Sequence, residues 1–157
     1  MRELLRLERD TKGSALHLEA ALERVRQFSH LANGKPDALA ATVWKLYAAA
    51  DKGLGLWVVL EDGQIIGHML VLLRTWDDEW VGWVTHLDID PPHQLGRAWI
   101  DQGLEALDQW AREVNVVGEA AGVKVTRCMM STYRDTDAWA RAFGFRDFRS
   151  LRVREVS

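Results

Sequence analysis

The sequence predicts an α+β domain (an α/β mixed sheet) in the order β-α-α-β-β-β-α-β-α-β. Three features point there. Two stretches of helical periodicity follow a short first strand. Three strand-like apolar runs then come in a row. The last third alternates strand and helix, as a crossover into a mixed sheet requires. With 157 residues, 48% of them hydrophobic, a single domain spanning 1–157 accommodates one core.

Taken in order, "LLRLERD" (Leu4–Asp10) alternates as a first strand. From Ser14, the apolar residues Ala15, Leu18, Leu22, Val25 and Phe28 recur at three- and four-residue steps, and Asn33-Gly34 closes that helix. Pro36 suits the first turn of a second helix with a stripe of Leu39, Val43, Leu46 and Ala50, which Gly53 or Gly55 ends. "LGLWVVLEDGQIIGHMLVLLRTW" reads as a hairpin turning at Asp62-Gly63. Its second arm, Ile65 to Leu73, is apolar on both faces and so belongs in the centre of the sheet.

"DDE" turns the chain, and "WVGWVTHLDID" gives a strand from Trp80 to about Ile89. The helix after "PPHQLG" carries Ile100, Leu104, Leu107, Ala111 and Val114 on one stripe. "GVKVTRCMM" is a strand, "DTDAWARAF" a short helix, and "FGFRDFRSLRVREV" a turn with one final strand.

The formal charge is −3 with no long run of one sign, which argues against a nucleic-acid partner gripped through its phosphates. Arg146, Arg149, Arg152 and Arg154 are interleaved with Asp147 and Glu155 and read as a solvated strand face. The single cysteine, Cys128, permits no internal disulfide and no thiolate metal cluster, and reads as a small buried residue. His17, His30 and His68 have no metal-like spacing, so no metal is expected. "MRELLRLERD" lacks the apolar core of a signal peptide and no run reaches membrane-spanning length; the expectation is a cytoplasmic protein with no membrane association.

One stretch, "LDIDPPHQLGRAWIDQGLEAL" (Leu87–Leu107), runs from a strand through a proline stop and a glycine turn into a helix, with no lysine, serine or cysteine nucleophile. A helix start exposes unpaired N–H groups and a partial positive charge, and small residues there let a diphosphate approach the backbone. Gly96 and Ala98 are such residues.

The element order and three signatures together resemble the GNAT N-acetyltransferase superfamily over nearly the whole chain. The signatures are "EDGQIIGHMLVLL" with Gly67 after the hairpin, "LDIDPPHQLGRA" as the acetyl-CoA loop, and "WARAFGFRDF" with Gly144-Phe145. The resemblance implies acetyl-CoA as co-substrate. It would be bound by Leu87, Asp88, Ile89, His93, Gln94, Leu95, Gly96, Arg97, Ala98 and Trp99, with the strand offering its edge to the pantetheine arm. It also implies direct attack by the amine of a small molecule or peptide.

The sequence departs from the family pattern at several points. The loop's Gln/Arg position falls on His93 or Gln94 according to the direction of counting, and Asp101-Gln102 replace the usual leucines. The family's tyrosine, four residues before the Gly-Phe glycine, is Ala140 here. The frequent asparagine, eleven before it, is Tyr133, which becomes a shifted candidate for the acid. Candidate bases lie on the preceding strand. His86 and Asp88 share one face with Asp90, a base beside an orienting carboxylate, and Glu79 stands at the strand start. Trp76, Trp80 and Trp83 suit either an acceptor groove or hairpin packing. The alternative is a catalytically inactive GNAT-like subunit that senses CoA or binds a protein; the tryptophans or the last strand would serve a homodimer or a larger assembly.

Overall fold

A computed structural model describes residues 1–31, 35–90, 93, 96–131, 146–148 and 151–156. The strands are β1 (Arg2–Arg6), β2 (Leu54–Glu61), β3 (Gln64–Trp76), β4 (Glu79–Ile89), β5 (Arg127–Ser131), β6 (Arg146–Phe148) and β7 (Leu151–Glu155). The helices are α1 (Ser14–Leu31), α2 (Pro36–Ala48) and α3 (Arg97–Gly118), followed by a short 3-10 turn at Glu119–Ala121. The described strands form one sheet in the order β1-β2-β3-β4-β5-β7-β6. It is mixed, because β4 and β5 run parallel while β5 and β7 run antiparallel. Among the described residues no helix is long and apolar enough to cross a membrane.

Contacts divide the chain into two compact units, one of residues 1–70 and 86–93, the other of 71–85 and 94–157. In the first, β1 pairs antiparallel with β2 from Arg2↔Glu61 to Arg6↔Trp57. The strand begins and ends earlier than the sequence pattern suggested. Ser14 is the reason: its Oγ accepts from the Glu8 N–H at 3.0 Å and donates to the Arg6 carbonyl at 3.3 Å, which draws residues 8–10 into a turn. The α1 core row is Ala21, Leu22 and Val25, with Ala15 exposed, and α2 buries Ala40, Val43 and Tyr47.

Neither Gly53 nor Gly55 ends α2. The helix stops at Ala48, with Ala50 in the left-handed region at φ 51° and the Asp51 N–H reaching the Leu46 carbonyl at 2.9 Å. The Asp62-Gly63 turn has the two positive φ values, 50° and 83°, of the hairpin turn the sequence predicted.

In the second unit, Asp77 and Asp78 make the next hairpin with φ 52° and 63° and no glycine, which short polar side chains tolerate. Val81, Met129 and Val153 form a buried cluster against which Trp76 and Trp83 pack. Helix α3 buries Leu107, Trp110, Ala111 and Val114. Gly118 closes it where a β-carbon would stand 2.6 Å from the Val123 side chain.

Strand β5 begins at Arg127, five residues later than the pattern indicated. The Asn115 amide accepts from the Val125 N–H at 2.6 Å and donates to the Val125 carbonyl at 2.9 Å, so a side chain takes the place of a ladder partner there. The single final strand expected is two, β6 and β7, paired antiparallel from Arg146↔Val153 to Phe148↔Leu151. The helix expected over 135–143 and the Asn33-Gly34 stop lie outside the described residues.

Candidate functional site

Strand parity sends His86, Asp88 and Asp90 to one face of β4, as the sequence indicated. Facing them is a side chain the sequence did not single out. Arg24 of α1 lays its guanidinium across both carboxylates, with Nη2 to Asp88 Oδ2 at 3.0 Å and Nη1 to Asp90 Oδ1 at 3.0 Å. Its Nε donates to His68 Nδ1 at 3.4 Å, and His68 Nε2 lies 3.1 Å from His86 Nδ1. The arginine side chain is only 16% exposed, while the rings of His68 and His86 belong to residues 2% and 3% exposed.

Phe28, four residues after Arg24 and so on the same face of α1, closes the cluster. Its ring meets His68 edge-on at 5.7 Å between centroids and His86 tilted at 4.5 Å. Helix α1 and strands β3 and β4 therefore converge on one buried polar group inside the first unit. Burial sets its electrostatics. Desolvation, then the charges of His86 and Arg24, hold His68 well below the ordinary imidazole range, and desolvation pushes His86 down to about 4.

Of the other candidate catalytic residues, Glu79 opens β4 and is engaged by Arg127 at 2.7 Å while remaining 59% exposed. Tyr133 lies outside the described residues, as do Ala140, Gly144 and Phe145.

The residues assigned to the loop divide as follows. Leu87 and Ile89 point to the face of β4 opposite His86 and are half-buried. His93 Nδ1 is 2.9 Å from Glu61 Oε2, and Glu61 also accepts from Arg2 Nε at 2.9 Å, which holds its carboxyl below the usual range. Gln94 and Leu95 are outside the described residues. Gly96 caps α3 in an extended conformation, with no side-chain cap and no acid in the first turn. The N–H groups of Trp99 and Ile100 bond back to the Gly96 carbonyl at 3.0 and 3.2 Å, which leaves those of Arg97 and Ala98 at the open helix end. Among the described residues, nothing lies within 4 Å of where a β-carbon on Gly96 would stand. Ala98 is exposed and Trp99 half-buried, and Arg97 pairs with Asp101 at 3.0 Å along the exposed side of the helix. A helix start opened by glycine, with no acid in its first turn, suits an anionic diphosphate.

The sequence carried weak signals for what it missed. His68 is a titratable residue inside a run that is apolar on both faces, and Arg24 lies one helical turn before Phe28, which the apolar stripe of α1 already included.

The model of the acetyltransferase (GNAT) family matches residues 18–145. Solved structures share the fold at low identity. A predicted acetyltransferase with acetyl-CoA from Clostridium acetobutylicum is 14% identical, with a TM-score of 0.60 over 95% of this chain and 92% of that one. A probable acetyltransferase from Staphylococcus epidermidis is 11% identical, with a TM-score of 0.64 over all of both chains. An acetyltransferase from Thermus thermophilus is 18% identical, with a TM-score of 0.57 over 99% and 97%. None of the curated proteins matches the sequence.

Proposed function

The chain belongs to the GNAT acetyltransferase family, whose co-substrate is acetyl-CoA, and we propose that it transfers acetyl from acetyl-CoA directly to an amine. The start of α3 carries the reading: Gly96, with no described residue within 4 Å of its β-position, and the Arg97 and Ala98 amides at the positive helix end receive the diphosphate. Acetyl-CoA supplies the reactive carbonyl. The amine nitrogen forms the C–N bond, the C–S bond breaks, and the amine proton ends on the departing thiolate or in solvent. The protein contributes positioning and hydrogen bonds rather than a covalent intermediate. The end of β4, Leu87 to Ile89, pairs its edge with the pantetheine amides, and His93 to Trp99 surround the diphosphate. Around the amine, His86, Asp88, Glu79 and Tyr133 are the side chains to test. The acceptor is the amine of a small molecule or peptide.

Calorimetric titration with acetyl-CoA tests the binding step, on the wild type and on Gly96→Asp. Because no described residue lies within 4 Å of the β-position and its φ is ordinary (−72°), the aspartate introduces charge without backbone strain. Heat in the wild type that disappears in the variant, with both proteins melting alike, is the expected result. No heat in either overturns the reading.

Ala140 at the position of the family's tyrosine favours a second reading, a non-catalytic GNAT subunit that binds CoA or a protein. Binding without free-thiol release from any amine would select it.

A further inference from the structure

From the outward face of α2 we infer that this helix is a self-association surface, on which a second copy of the chain lays its own α2 antiparallel about a two-fold axis beside Ala41. The inference does not depend on the acetyl-transfer reading.

Helix α2 gives one side to the core, where Ala40, Val43 and Tyr47 are buried. Its other side carries Trp44, which is 53% exposed. Leaving an indole in water forgoes a large apolar burial, and tryptophan is enriched among the anchors of protein interfaces. The tryptophans that the sequence suggested for a dimer, Trp76, Trp80 and Trp83, are half-buried instead. Ala38 and Ala41, six and three residues before Trp44, are exposed and small. They let a second helix approach toward the near end of the 8–10 Å range of helix packing, and the indole fills the space beside them.

Charge fixes the orientation. Asp37 lies in the first turn of α2 and Lys45 in the last. At about 100° per residue, Asp37, Ala41, Trp44 and Lys45 share one side of the helix. At ~1.5 Å per residue, Asp37 and Lys45 stand ~6 Å to either side of Ala41. A two-fold axis there sets Lys45 of each copy level with Asp37 of the other, and Trp44 level with the other's Ala38. Every contact is then made twice. A parallel pair would set Asp37 against Asp37 and Lys45 against Lys45, which repels.

Both charges are available. Asp37 is 96% exposed; Arg26 of α1 approaches it only to 3.7 Å and pairs with Glu23 at 3.2 Å. Among the described residues no carboxylate pairs with Lys45. The helix dipole accounts for an acid at one end and a base at the other, and helix propensity accounts for the alanines. Neither accounts for an indole half in water between them. A face of 13 residues covers less than the roughly 800 Å² per partner of a standard interface, so the dimer is weak, with a Kd on the order of 10 μM.

The test is sedimentation equilibrium of the full chain from about 1 to about 300 μM. The wild type should pass from monomer to dimer over that range, and Trp44→Ala should stay monomeric while melting like the wild type. Asp37→Lys and Lys45→Asp should each weaken association at least about tenfold, because each sets like charges together twice. Combined, the two should restore it to within about threefold. The swapped pair opposes the helix dipole, so its melting temperature should fall even as its dimer returns. That separates pairing between copies from support within the helix. Ala41→Cys offers a second reading, since it puts two thiols beside the axis within reach of a disulfide. Mild oxidation should cross-link it and spare Thr42→Cys on the flank; Cys128, being buried, does not compete. A wild type that is still monomeric at the highest concentration overturns the inference. So does a dimer indifferent to Trp44→Ala and to both charge reversals, which would place self-association on another face.

Discussion

Gly67 of β3 lies so close beneath the main-chain carbonyl of Asp88 that a β-carbon at position 67 would stand 2.7 Å from that oxygen and 3.4 Å from the Ile89 α-carbon. The obstacle is backbone, which cannot swing aside as a side-chain tip does. Gly67→Ala should therefore cost about 1–3 kcal/mol through forced backbone shifts. Because the displaced strand carries Asp88, whose carboxylate Arg24 holds, the variant should also loosen that ion pair. Urea unfolding measures the stability, and an unchanged midpoint would show that β4 yields freely. The motif resemblance marked this glycine; the geometry gives its reason.

Cys128 is fully buried on β5, and burial, with the Asp108 charge adding to it, pushes its thiol up to about 12. Thiolate is the reactive form, so both access and ionisation protect it. A thiol reagent at pH 8 should leave the native protein unlabelled and modify one site per chain once urea unfolds it. Rapid native labelling would contradict the packing around Gly82, where a β-carbon would stand 2.8 Å from Cys128 Sγ and 2.7 Å from the Trp110 ring.

Much of the architecture was legible because it rests on local rules. The Asp62-Gly63 turn, the apolar β3 and the stripe of α3 follow from turn chemistry and periodicity. The errors arise where a distant group overrides a local pattern. Asn115 takes the hydrogen bonds of Val125 and delays β5, Ser14 turns residues 8–10 away from β1, and Ala50 ends α2 in a left-handed conformation that pattern reading assigns to glycine. The candidate site was legible by half. Alternation along β4 placed His86, Asp88 and Asp90 on one face, but nothing local announces that Arg24 and His68, 62 and 18 residues away from His86, complete the group.

The neutral histidine pair also makes stability depend on pH, and the sign follows from linkage. Both folded-state pKa values lie below the unfolded value of 6.5, so the unfolded chain binds more protons as the pH falls. Their stabilising effect is fully present above pH 6.5 and is lost on acidification, for His86 until its folded pKa of about 4 is reached. At about 1.4 kcal/mol per pH unit, His86 alone removes about 2 kcal/mol between pH 6.5 and 5, and His68 acts in the same direction. Glu61 and Asp62 are held below ordinary carboxylate values of 4.5 and 3.8 by Arg2 and the N-terminal amine, so their losses begin below this window. The raised N-terminal amine acts near pH 8 and above. Urea midpoints taken from pH 8 to 5 should therefore hold steady and then fall below about pH 6.5, and the double variant His68→Gln, His86→Gln should flatten that fall. A wild-type midpoint that stays level down to pH 5 would mean that the rings accept protons in place, and the buried neutral pair would have to be abandoned.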